Sequence, residues 1–281
     1  MSLQQQNVVD SFRSIVSLDE GPIDLALAAL TIAQSEYPAL RIKDYLNRLD
    51  EMGVRASRRL PRECPHPVKV IEALNHFIFH ENGFTGNEDD YYDPRNSYLN
   101  DVLDRKTGIP ITLSLVYMEL AQRVGLDMVG VGLPGHFVVK LGDPLTEIFI
   151  DPYHGGTFMT VDDCRTRWAE MSSGPGEFHP AFLHPVSKKQ ILFRLLNNLK
   201  HIFSRTGAAE KSLAIIELML VISPESATEI RDLSLMHLQL KQYRKAAEGL
   251  RKCLALEPDG PDRDQLVFWL YSAENGMARM N

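Results

Sequence analysis

RKTGIPITLSLVY, residues 105–117, carries the reading of the fold. Charged residues run into Gly108, and an apolar helical pattern begins directly after it. Pro110 suits the first helical turn, because the N–H it lacks would have no intrahelical partner there. Leu113, Val116, Tyr117, Leu120, Ala121 and Val124 continue a helical stripe, and Gly125 closes it. A thiol at the first turn of such a helix would have its thiolate stabilised by the helix N-terminus. Proline at that position has no nucleophile to offer.

Downstream, MVGVGL, HFVVKL and EIFID are short, rich in branched and aromatic residues, and separated by Gly, Pro or Asp. They predict a small antiparallel sheet packed on the helix. GGTFMTVDDCRTRWAEM is expected to leave the sheet and return to helix. If HFVVKL and EIFID form a hairpin across GDPL, residue 141 faces 146 and His136 faces Asp151. A one-residue shift would put the two on opposite faces. A carboxylate so placed orients an imidazole and stabilises its charged form, as acyl-transfer triads require. The alternative is that His136 only ends a strand and Asp151 caps the turn into Pro152.

Upstream, residues 8–57 read as helices with apolar residues at three- and four-residue steps, broken at Pro38. PRECPHP is a connector. VKVIEALNHFIFHEN is a helix ending at Gly83, and GFTGNEDDYYDPRNSY is a long loop before the central helix. Within and after that loop, Asn96, Ser97 and Arg105 are candidates to line a cleft together with His154. They equally suit the hydrogen bonds that order a long loop.

From about residue 187 no strand signal remains. GAAEKSLAIIELMLVISP (207–224) and KQYRKAAEGLRKCLALEP (241–258) align without a gap, 34 residues apart. Ser212 matches Ala246, Ile216 matches Leu250, Leu220 matches Leu254 and Pro224 matches Pro258. That is the tetratricopeptide (TPR) period. ATEIRDLSLMHLQL supplies the helix between the copies, and DRDQLVFWLYSAENGM is a capping helix. Tyr243, His237 and Arg231 are the candidates for a protein-binding groove.

The bulk composition bounds the function. The net charge of −7 leaves no basic field for nucleic acid or an anionic membrane. The short basic runs are mixed with carboxylates and read as solvated helix faces. Cys64, Cys164 and Cys253 are odd in number and lack metal-knuckle spacing. Neither a secretory signal nor an apolar run of membrane length is seen, so a cytoplasmic location is expected. Ser114, one turn beyond Pro110, is a weak alternative nucleophile and a better spacer that lets the sheet approach the helix. A metal site from His136, Asp151 and His154 is conceivable on residue type alone; neither metal nor cofactor is expected.

GIPITLSLVYMELAQRVGL, GLPGHFVVKL and FIDPYHGG, followed by TPR-like helices, resemble the bacterial SirB-type proteins, in which a transglutaminase-like core is fused to C-terminal TPR repeats. The family name implies regulation of invasion genes. The resemblance implies an α+β chain: a helical N-terminal region with a papain-like helix-plus-antiparallel-sheet core in 1–186 (core about 84–165), then an all-α TPR-like domain in 187–281. It places His136 and Asp151 on the superfamily His and Asp, and the superfamily Cys on Pro110. The reading favoured is a non-catalytic protein- or peptide-interaction scaffold. An acyl-transfer or peptide/amide hydrolase using His136–Asp151 with an unidentified nucleophile or an activated water is the second reading. A DNA-binding regulator is the third, and the acidic charge opposes it. Oligomeric state is left open.

Overall fold

The computed structural model describes residues 3–17, 19, 21–61, 66–142, 147–171 and 176–279. Cys64 and most of the GDPL loop lie outside these. The chain divides into two compact units, Asp19–Leu195 and a second made of Met1–Leu18 with Leu196–Asn281.

The first helix, α1 (Leu3–Val16), buries Val8, Val9, Phe12 and Val16. It belongs to the second unit, where the Gln5 side chain donates to Ala214 O. The sequence pattern places this helix in the N-terminal region of 1–186, whereas here it groups with the C-terminal helices. Periodicity identifies an apolar face but not the surface that covers it.

In the larger unit, α2 (Leu25–Ala33), α3 (Ile42–Ser57) and α4 (Pro67–Asn75) precede the loop. Asp24 caps α2 by accepting from Leu27 N at 2.8 Å. At Asn75, α4 widens into a π-type turn over His76–Glu81, and Gly83 ends it with φ +70°. Two short parallel strands, β1 (Thr85–Gly86) and β2 (Thr107–Gly108), flank α5 (Leu99–Arg105) and lead into α6 (Pro110–Arg123).

The start of α6 is as the sequence reading expects, with Pro110 in the first turn. Thr112 Oγ1 accepts from Ile109 N at 3.0 Å and donates to Asn96 O at 2.8 Å. This satisfies one of the helix's unpaired N-terminal donors and ties the long loop to the helix. Every residue from Pro110 to Ala121 is buried. The helix is therefore enclosed on all sides rather than along one stripe. Its buried polar residues have partners inside the fold; Glu119, for example, pairs with Arg123 at 2.6 Å.

The sheet has four antiparallel strands in sequential order: β3 (Met128–Val131), β4 (Val138–Leu141), β5 (Phe149–Asp151) and β6 (Thr157–Met159). The fourth strand corrects the expectation that GGTFM leaves the sheet. Two successive glycines with positive φ, Gly155 (+68°) and Gly156 (+78°), turn the chain back so that Asp151 pairs with Thr157. α7 (Val161–Met171) follows, burying Cys164 among Val131, Leu133, Val138, Phe149 and Met159.

The β4–β5 register also differs from the expected one. Val139 lies opposite Ile150 and Lys140 opposite Phe149, two residues away from a pairing of 141 with 146. A two-residue shift preserves side-chain parity. His136 and Asp151 therefore share a side, although neither stands directly opposite the other.

α8 (Lys188–Arg205) runs across the division between the units. The second unit continues with α9 (Ala209–Ile222), α10 (Ala227–Gln239), α11 (Tyr243–Leu256) and α12 (Arg263–Ala278). The 34-residue repeat is visible in the backbone itself. Gly207 and Lys241 both take left-handed conformations, at φ +70° and +57°. Ser223 and Glu257, each before a proline, have φ/ψ of −130°/78° and −129°/73°. Ser212, Ala246, Ile216 and Leu250 are all buried, as small and apolar residues between paired helices should be.

Candidate functional site

Asp151 is the centre of the site and is fully buried. Its Oδ1 accepts from Tyr153 N at 3.1 Å and from His154 N at 3.3 Å, capping the short turn Pro152–His154. That fixes the carboxylate plane and leaves Oδ2 facing two imidazoles. His136 Nε2 is 2.8 Å from Oδ2, and His154 Nδ1 is 2.7 Å from the same atom. Burial works to raise the Asp151 carboxyl. The hydrogen bond and charge of His136, then those of His154, outweigh it and hold the group below the usual aspartate value. Asp151 thus favours its carboxylate form, whose Oδ2 can accept from both ring nitrogens that face it.

The surrounding residues hold this arrangement in place. Arg194 donates to the carbonyls of Leu133 (2.7 Å) and His136 (2.6 Å), clamping the turn that delivers the imidazole. The Tyr153 hydroxyl donates to Asn87 O at 2.9 Å, and its ring stands edge-on to both histidines. Asn75 Nδ2 donates to Gly156 O at 2.6 Å, while Asn75 Oδ1 accepts from Tyr117 on α6 at 2.9 Å. Sequence pattern alone does not mark Arg194, Tyr153 or Asn75 as site residues, and it places Tyr117 only in the helical stripe. Arg194 and Asn75 left a faint signal, each being a polar residue within an apolar helical run.

The other candidates fall elsewhere. Ser114 is buried, and its Oγ donates to Phe137 O at 3.5 Å, as a spacer between helix and sheet would. Asn96 Nδ2 donates to Asp90 O (2.7 Å), and its Oδ1 accepts from Asn87 (3.1 Å) and Arg105 (3.3 Å). Arg105 also pairs with Asp93 at 3.4 Å. These contacts order the long loop. Ser97 is buried beside them, and its Oγ has no hydrogen-bond partner among the described residues. Cys164 is buried, and burial, then the charges of Asp163 and Asp151, push its thiol up to about 12, which disfavours the reactive thiolate. Among the described residues no serine, threonine or cysteine hydrogen-bonds to His136.

In the second unit, His237 is buried with Nδ1 2.9 Å from Gln242 Oε1. Arg231 is paired with Asp232 (3.1 Å) and Asp262 (2.7 Å). Tyr243 packs against Gly276, where a Cβ would meet its ring, and lines a cavity of about 490 Å³ with Lys241, Ser272 and Asn275. His237 on α10 is therefore enclosed and linked to Gln242 at the start of α11.

The sequence pattern of the transglutaminase-like superfamily matches residues 43–197, the span that carries this helix, sheet and His–Asp pair. The chain belongs to the transglutaminase-like superfamily. A tetratricopeptide-repeat pattern matches residues 199–267, over the helices that repeat every 34 residues. This transglutaminase-like chain is 32% identical over 275 residues to a UPF0162 protein of Xylella fastidiosa, covering 96% of this chain and 97% of that one. A UPF0162 protein of Pseudomonas aeruginosa is 29% identical over 249 residues, covering 89% and 90%. Human F-box only protein 21 is 28% identical over 205 residues, covering 70% of this chain and 30% of that protein. The transglutaminase-like core fused to TPR helices is thus shared with bacterial relatives over nearly their whole length. Among the described residues no helix is long and apolar enough to cross a membrane.

Proposed function

We propose that this transglutaminase-like/TPR protein is a non-catalytic scaffold that binds a protein or peptide partner through its TPR-like helices, with a regulatory role in the cytoplasm. The missing nucleophile carries this reading. Proline occupies the first turn of α6, where the superfamily thiol would stand, and Thr112 beside it is spent on Ile109 and Asn96. A His–Asp pair acts by activating something, and removing the nucleophile from a triad leaves little catalysis. Stacked repeat helices generate binding surfaces. The partial match to F-box only protein 21 adds that this module also occurs within a longer chain.

A specific observation favours a second reading. The 2.8 Å contact between His136 and Asp151 retains the relay geometry of an acyl-transfer or amide-hydrolysing enzyme.

Quantitative affinity capture from the host lysate separates the two, comparing wild type with His136→Ala and with Tyr243→Ala/Arg231→Ala. The scaffold reading expects one set of proteins to be lost with the double variant and kept with His136→Ala. Amide or ester turnover by the wild type that disappears in His136→Ala would overturn it.

A further inference from the structure

His136 Nε2, Asp151 Oδ2 and His154 Nδ1 all lie within 4.8 Å of one another. Two imidazole nitrogens and one carboxylate oxygen converging from a short span of chain are more than a relay needs. A triad uses one histidine against the carboxylate, and here a second one occupies the same oxygen. We propose that these three atoms bind one divalent transition-metal ion of borderline softness, zinc being the representative. This reading is independent of whether the TPR-like helices bind a partner.

The donor set decides the class of ion. Calcium and magnesium prefer oxygen ligands, whereas imidazole with a single carboxylate suits zinc and its first-row neighbours. Three protein ligands also leave a fourth position for water or a bound group. The outer shell resembles that of a prepared site. Oδ1 of Asp151 is fixed by two main-chain N–H groups, which leaves Oδ2 to act as a single-atom ligand. Arg194 anchors the His136 main chain, and Asn75 anchors the turn after His154.

The geometry needs a small adjustment. With metal–ligand bonds of about 2.0–2.2 Å, tetrahedral donors stand roughly 3.3–3.5 Å apart. The two nitrogen–oxygen distances of 2.8 and 2.7 Å would therefore open slightly, and the imidazoles would draw together. His154 can supply that movement. Its side chain is 33% exposed, and Gly155 follows it with nothing within 4 Å of its Cβ position. The same exposure provides the entry path, since His136 and Asp151 are enclosed. A bound ion would need an unprotonated lone pair on each of these nitrogens, so any proton held there would pass to the other ring nitrogen or to solvent.

The chain has nine histidines, so surface binding has to be separated from this site. The natural competitor is the His76–His80 pair, whose rings stack at 5.4 Å beside Glu81. Tag-free full-length protein, stripped with chelator, would be titrated with zinc by calorimetry and with cobalt by visible absorption. The expected result is one zinc per chain, with cobalt giving the intense d–d bands of a tetrahedral site. His154→Ala should weaken binding at least ~100-fold, more than loss of an outer-shell partner does. His76→Ala/His80→Ala should leave it unchanged. His154 is partly exposed, so its variant tests the site even if His136→Ala fails to fold. Absence of binding at millimolar zinc, or binding lost in His76→Ala/His80→Ala and kept in His154→Ala, would overturn the proposal.

Discussion

Nε2 of His136 lies 2.8 Å from Oδ2 of Asp151, a carboxylate with no solvent exposure. Removing the carboxylate leaves two imidazole donors and two main-chain N–H groups without their acceptor. Asp151→Ala should therefore destabilise the Asp19–Leu195 unit by about 3 kcal/mol, as breaking a buried pair does. Asp151→Asn should cost less, because the amide oxygen can still accept. Trp168 lies in this unit and Trp269 in the other. Denaturant unfolding followed by fluorescence in a Trp269→Phe background reads the core alone; equal losses for Ala and Asn would contradict this account.

Gly156 has φ +78°, and a Cβ there would come within 2.5 Å of the Asn75 side chain and 2.6 Å of the Phe79 ring. Gly155 has φ +68° and open space around it. Gly155→Ala should show only the backbone strain, roughly 1 kcal/mol, and Gly156→Ala that strain plus a steric clash, about 2–3 kcal/mol. The same fluorescence assay measures the difference, and a smaller loss for Gly156→Ala would refute the packing argument.

Lys200 Nζ bonds both carboxylate oxygens of Glu229, at 2.9 and 2.8 Å, and Asp232 at 3.0 Å. Glu229 is almost wholly buried. Lys200→Met should destabilise the helical unit by about 3–5 kcal/mol, since it strands a buried charge. Adding Glu229→Gln to Lys200→Met should recover part of that loss. Trp269 fluorescence in a Trp168→Phe background measures both; strictly additive losses would show that the two groups do not interact.

Lys106 sits half-buried with Nζ 4.4 Å from the centre of the Phe84 ring. Burial, then the charges of Arg48 and Arg55, bring its ammonium down from 10.5 to about 8. Between those values the unfolded chain holds a proton that the folded chain has released, so stability contributed by this group rises with pH. The stability of wild type relative to Lys106→Met should therefore climb from about pH 8 toward 10.5, and level off below that window. Chemical denaturation across pH 6–10 checks the slope, and a falling difference would reverse the assignment.

Local pattern was enough for much of the architecture. Pro110 after Gly108 marks the start of α6, prolines 34 residues apart mark the TPR-like repeat, and alternation in HFVVKL and EIFID puts His136 and Asp151 on one side. Each of these depends on residues within one or two turns of helix or one hairpin. His136 and Asp151 share that side despite the two-residue difference in register, because a shift of two leaves side chains on the same face.

The remaining features depend on contacts distant in sequence. Complete enclosure of α6, the fourth strand, the grouping of α1 with the C-terminal helices and the Arg194 clamp on His136 are set by what each surface meets. The sequence by itself determined the helix start, the repeat and the His–Asp candidates, because steric and hydrogen-bonding preferences act locally. Tertiary structure alone decided that His154 joins His136 on one carboxylate oxygen, because Asp151 must be buried and capped by its own turn before Oδ2 can face both rings.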